Sequence, residues 1–263
     1  MGRFRLLGLC LLLTMAFAAC AMSAAASGAD YKWCRPQKKG DYVNSSCTTK
    51  SAHPHKGKYE RLAGPVITDN PGMAKLITPA LSADAVECSA STTAGNLVSP
   101  KVGIERVTLT GCEYQSMPCE STGPNGTPSG QAGVIETNLL NNVLIGYPET
   151  RTWENTSNQI VTAGPATGEA WTVLSSSEHE PIMFEIECGG TAIFRFSGEI
   201  GGPITPVNVL TSMTLQKFAP SPALGVQGML GEAWSGSAWV GPDPSEETTE
   251  EELQYSPPIT IVP

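Results

Sequence analysis

The chain predicts an all-β protein, an antiparallel sandwich or barrel of about 8–10 short strands stapled by disulfides. Three observations carry that reading. Short β-branched runs recur between residues 81 and 241, broken by Gly, Pro, Asn and Ser at regular intervals. No window in this stretch has a helical period. Six cysteines remain once an export leader is removed, an even number that suits disulfide pairing.

The expected strands are Ala85–Ser91, Ile104–Thr110, Val134–Leu140, Ala170–Leu174, Ile182–Cys188, Ala192–Glu199, Leu210–Lys217, Leu224–Leu230 and Ser237–Val240. The run Asn138–Ile145 reads either as one helical turn or as a strand with a bulge.

The sharpest local expectation is the hairpin Ile182–Glu199. Ile182, Phe184, Ile186 and Cys188 share one face, and Met183, Glu185 and Glu187 the other. A two-residue turn would set Arg195 on the core face. A three-residue turn, Gly189-Gly190-Thr191, pairs Ile186 with Phe194, Phe184 with Phe196 and Glu185 with Arg195. A one-residue slip exchanges the faces of every side chain, so the apolar pattern selects the longer turn. Glu185 and Arg195 are then expected as a cross-strand ion pair on the wet face.

Residues 1–29 read as a cleavable secretory signal. Arg3 and Arg5 precede an uncharged apolar run, Leu6 to Ala19, and small residues follow from Ala24 to Ala29. That run is shorter than the roughly 20 residues a membrane-spanning helix needs, and no later stretch is longer and as apolar. Cleavage is expected before Asp30. The alternative is lipid attachment at Cys20, because Phe17-Ala18-Ala19-Cys20 is close to a bacterial lipobox, with Phe in place of the usual Leu.

Removing the leader takes away Arg3 and Arg5 and no acid. That leaves 14 bases against 25 acids, a net charge of −11. This balance argues against general nucleic-acid or anionic-membrane binding. Residues 30–62 form a basic head with one cysteine pair, and 63–80, rich in Gly and Pro, read as a linker. Residues 81–241 form the main β domain. Residues 242–263 carry an acid cluster and several prolines and read as a disordered tail.

The mature cysteines are Cys34, Cys47, Cys88, Cys112, Cys119 and Cys188. About fifteen connectivities are open to six cysteines; pairing of sequential neighbours is preferred, Cys34–Cys47, Cys88–Cys112 and Cys119–Cys188. The last closes a loop worth on the order of 4 kcal/mol in the chain-entropy description. No C-x-x-C pair is present, which weakens a zinc or thioredoxin-like reading.

Candidate chemistry is sparse. Glu178-His179-Glu180, with Glu185 and Glu187 nearby, offers paired carboxylates of the kind glycoside hydrolysis uses. Their alternation before a strand favours an exposed turn instead. His53-Pro54-His55 offers two metal ligands only if the head folds back on the main domain. Trp33, Trp153, Trp171, Trp234 and Trp239 could stack on sugars, but Trp171 falls within a strand and reads as core, while Trp153 reads as part of a polar loop. Asn44-Ser45-Ser46, Asn125-Gly126-Thr127 and Asn155-Thr156-Ser157 match the glycan-acceptor triad. The leader looks bacterial, so these are read as chance. No nucleophile elbow, H-E-x-x-H, phosphate loop or EF-hand motif occurs. No cofactor and no metal is expected.

The run Gly198–Phe218, the V-x-C at Cys88, Thr110-Gly111-Cys112, Pro118-Cys119, Cys188-Gly189 and the stretch Leu224–Val240 resemble secreted proteins of soil actinobacteria of the Solirubrobacter and Conexibacter type. The resemblance covers roughly residues 82–240. It implies an exported, disulfide-containing β protein and carries over no catalytic residue. The head and the acidic tail depart from it.

The expectation is therefore an exported, non-catalytic β protein with a structural or binding role at or outside the cell envelope. The alternatives are a secreted hydrolase using Glu178, His179 and Glu180, and a carbohydrate-binding module.

Overall fold

The computed structural model describes residues 31–61, 65–70, 74–77, 85–123, 127–128, 130–177, 181–218 and 226–262. The leader with Cys20, the Asn125 triad and the trio Glu178, His179 and Glu180 lie outside the described residues.

The described residues form strands and no helix. The head contributes β1 (Lys32–Gly40) and β2 (Gly57–Arg61). The stretch read as a linker contributes β3 (Pro65–Asn70) and β4 (Ala74–Ile77). Next come β5 (Ala85–Cys88), β6 (Ala90–Leu97), β7 (Val102–Thr110), β8 (Glu113–Tyr114), β9 (Met117–Gly123) and β10 (Thr127–Pro128). Then follow β11 (Val134–Glu136), β12 (Leu140–Gly146), β13 (Arg151–Glu154), β14 (Ile160–Ala163) and β15 (Ala170–Ser176). The last five are β16 (Ile182–Cys188), β17 (Ala192–Thr205), β18 (Thr211–Phe218), β19 (Val226–Trp234) and β20 (Trp239–Val262). The 138–145 run resolves as strand β12, with Val143 opposite Val173.

All the pairings are antiparallel, and followed from strand to strand they close two rings. One runs β3, β6, β7, β12, β15, β17, β18, β20 and back to β3. The other runs β4, β5, β8, β9, β16, β17, β19, β20 and back to β4. Strands β17 and β20, of 14 and 24 residues, run through both. Closure leaves few open strand edges.

Two expectations change here. Residues 242–263 were expected to be disordered, yet Asp243–Val262 continue β20. Average composition hid the terminal Ile259-Thr260-Ile261-Val262, a β-branched run that is fully buried. It pairs with β1, setting Trp33 opposite Ile261. Residues 63–80 were expected to link two units, but β3 and β4 are members of the two rings. The first lengthens an expected strand, while the second, with β1 and β2 of the head, raises the strand number above the expected 8–10.

The hairpin takes its expected register from Phe184 to Cys188, but a shift between Ile182 and Phe184 turns Met183, expected on the wet face, into the core. Ile186 stands opposite Phe194, Phe184 opposite Phe196 and Glu185 opposite Arg195. The longer turn places Gly189 and Gly190 at φ of 60° and 74°, the left-handed region that glycine enters without a Cβ penalty. Phe184 and Phe196 stack with centroids 4.6 Å apart.

The largest apolar cluster gathers Leu109, Ile135, Phe184, Ile186, Phe194, Phe196, Phe218 and Met229 with four cysteines. A second joins the ends of the chain, packing Tyr31 and Trp33 with Leu144, Ile204, Ile259 and Ile261. The disulfides are Cys34–Cys47, Cys88–Cys112 and Cys119–Cys188, the sequential pairing. All six cysteines are buried. The Cys119–Cys188 bridge joins residues that already face each other across β9 and β16.

Candidate functional site: an aromatic corner on the wet face of the sheet

Strands β9, β16, β17 and β19 lie side by side, and their alternation sends Phe194, Phe196 and Ile186 inward. The opposite face carries Glu185, Glu187, Arg195, Glu232 and Trp234. Part of this face is covered by the β13–β14 hairpin. Its Trp153 is buried with Ile145, Trp171 and Val173 and lies against Gly228. The rest faces water.

At the wet end the β19–β20 hairpin sets Trp234 opposite Trp239. Their ring centroids are 5.5 Å apart and their planes meet at 63°. Trp234 is 37% exposed and Trp239 is half-buried. The tight connection between them is held by Ser235, whose hydroxyl donates to the Ala238 carbonyl at 2.8 Å.

Arg195 holds this corner from beneath. Its Nε and Nη2 donate to Glu232 Oε2 and Oε1 at 2.5 and 2.9 Å, a bidentate pair. Its guanidinium carbon lies 4.3 Å from the centre of the Trp239 ring, a cation–π contact. The expected Glu185–Arg195 ion pair is therefore corrected. Register sets both carboxylates level with Arg195, one on each neighbouring strand. Arg195 takes Glu232, and Glu185 accepts a hydrogen bond from the Thr122 hydroxyl at 2.8 Å.

The five tryptophans separate cleanly. Trp33, Trp153 and Trp171 are buried, so Trp153 is a packing residue rather than part of an open polar loop. Trp234 and Trp239 remain for an external partner. Trp234 lies beyond the expected strand Leu224–Leu230, so its outward direction, like the contact of Trp239 with Arg195 across strands, had no signal in sequence.

Elsewhere on the same face, Glu199 pairs with Arg151 of the covering hairpin at 3.6 Å. Burial pushes the Glu199 carboxyl above the usual glutamate range, and Arg151 pulls it partway back. Glu187 stands opposite Glu120 on β9.

The remaining candidates are distributed. His55 Nδ1 lies 3.2 Å from Asp41 Oδ1 within the head, and His53 is exposed. Among the described residues no group of three His, Cys, Asp or Glu side chains is arranged to hold a metal. Asn44 and Asn155 spend their side-chain oxygens on backbone amides of their own turns, Thr48 and Thr49 in one case, Ser157 and Gln159 in the other. A concavity of about 430 Å³ is lined in part by Cys88 and Gly111. Its lining includes Glu87 and Glu113, which face each other across β5 and β8, with Ser89, Gln115 and Ser116, and no aromatic ring.

Inside the first ring lies a polar layer. Glu105 is buried and accepts a hydrogen bond from Asn142 Nδ2 at 3.0 Å. Thr172 Oγ1, Asn142 Oδ1 and both amide atoms of Gln216 are buried without a hydrogen-bond partner.

No helix among the described residues is long and apolar enough to cross a membrane. No family model, curated protein or solved structure matches this chain.

Proposed function

We propose that the mature chain is an exported, non-catalytic β protein that binds carbohydrate outside the cell or at its envelope. The observation that carries this is the Trp234–Trp239 corner, solvent-facing and braced by the Arg195–Glu232 pair. A pyranose ring has one face made largely of C–H bonds, which suits an aromatic surface, while its hydroxyls need fixed donors and acceptors. Trp234 offers the first, and the Glu232 carboxylate, held in place by Arg195 and with lone pairs beyond those two bonds, offers fixed acceptors for the second. Rigid aromatic anchors lose little side-chain entropy on binding.

Export rests on the leader at residues 1–29 and agrees with three buried disulfides, which persist in oxidising compartments. Retention at the envelope would follow if Cys20 carries lipid. The resemblance to secreted actinobacterial β proteins points the same way.

The test is a glycan array probed with the mature chain, wild type and Trp234→Ala. Binding that Trp234→Ala removes is the expected result. Hydrolysis of a bound glycan, lost on Glu178→Gln or Glu180→Gln, would overturn the non-catalytic reading.

A further inference from the structure

The corner also restricts what kind of carbohydrate it takes. We infer, resting on the carbohydrate reading above, that the site binds one sugar ring, a chain end or a branch, and not the flank of a long polymer. A polymer laid along a protein stacks successive rings on aromatic side chains that lie nearly in one plane. Trp234 and Trp239 meet at 63° with centroids only 5.5 Å apart, so they form a corner. In an edge-to-face pair the edge of one ring covers a face of the other. Arg195 covers a further face of Trp239 at 4.3 Å. What remains is the open side of Trp234 as the stacking surface, with Trp239 as a wall.

The surroundings agree with a single-ring site. The other three tryptophans are buried, so none of them extends the platform. Trp153, on the covered part of the same face, is packed beneath its own hairpin. The polar groups are concentrated too. Glu232 is fixed by Arg195 at one level of adjacent strands, and its carboxylate keeps lone pairs beyond the two bonds from Arg195, enough to accept from neighbouring hydroxyls of one ring.

The test is calorimetric titration of the mature chain with β-1,4-linked glucose and N-acetylglucosamine series, from one to six units. Pull-down on insoluble cellulose and chitin accompanies it. The expected result is binding in one series whose affinity per chain end is unchanged, within about threefold, from two units to six. Retention on the insoluble polymers should be negligible. Trp234→Ala should weaken binding at least about tenfold, the equivalent of roughly 1.4 kcal/mol. Affinity that climbs about tenfold or more with length, or retention on the insoluble polymers, would overturn the single-ring inference and leave carbohydrate binding standing. No binding in either series, together with a blank array, would overturn both. Near-ultraviolet circular dichroism of Trp234→Ala, compared with Trp234→Phe, separates lost contact from lost fold.

Discussion

Arg195 clasps Glu232 across β17 and β19 with two hydrogen bonds, and the same guanidinium lies over the Trp239 ring. One side chain thus links the sheet to the exposed hairpin. Arg195 and Glu232 are about three-quarters or more buried, at 26% and 17% exposed. Their coupling should exceed that of an open surface pair, at about 1–2 kcal/mol in a double-mutant cycle with Arg195→Ala and Glu232→Ala. Arg195→Lys should recover little, since an ammonium can neither fork nor stack in the same way. Tryptophan emission should move to longer wavelength in Arg195→Ala as Trp239 becomes wetter. A coupling near zero would show that the pair braces nothing.

Glu199 gives a pH dependence of opposite sense to an ordinary salt-bridged acid. Burial raises its carboxyl and Arg151 only partly opposes this. A carboxyl that titrates higher when folded contributes stability that is complete below its unfolded value. That contribution is lost as pH rises through the folded value. Glu199→Gln should therefore be more stable than the wild type at neutral pH. The gap should close as pH falls below the usual carboxylate range. Urea melts across that range measure it, and a Glu199→Gln protein less stable at neutral pH would show that the Arg151 contact outweighs burial.

Gln216 is fully buried in β18 with both amide atoms unpartnered. Each such atom costs about 1–3 kcal/mol. Gln216→Met keeps the volume and removes the amide, so stability should rise by about 1 kcal/mol or more. A fall instead would mean that the amide is satisfied by buried water, a common tenant of such polar interiors.

Deleting residues after Pro258 should open the head. Ile259, Ile261 and Val262 are buried, and each apolar side chain withdrawn from water contributes about 1.5–3 kcal/mol. The sum approaches the whole stability of an ordinary domain, about 5–15 kcal/mol. Hydrogen exchange should show lost protection across residues 31–61, where β1 pairs with β20. The Cys34–Cys47 bridge lies within the head and cannot substitute for that pairing. Unchanged protection would show that the head folds without the C-terminal strand.

Much of the chemistry near the site was legible because it follows from period-2 alternation. The pattern around Phe184, Ile186, Phe194 and Phe196 chose the turn and the register, and so placed Glu185 and Arg195 on the wet face. It could not choose the partner of Arg195. Two carboxylates stand level with it, and the second comes from β19, more than 30 residues further along the chain. Likewise Trp153 read as part of a polar loop, because nothing local shows that a short hairpin folds over Gly228.

Alternation, cysteine number and the absence of a helical period determined by themselves an all-β chain held by disulfides. Each is a property of neighbouring residues or of composition. Tertiary structure decided the rest: that β17 and β20 thread two closed rings, that the acidic tail is a strand, and that Trp234 and Trp239 are left outside as a corner. Ring closure rests on pairings such as Gln254 with Ile67 and Glu247 with Leu76. Backbone hydrogen bonds of that kind are blind to side-chain charge, so an acidic run can join a sheet when buried residues at its end, here Ile259, Ile261 and Val262, supply the driving force.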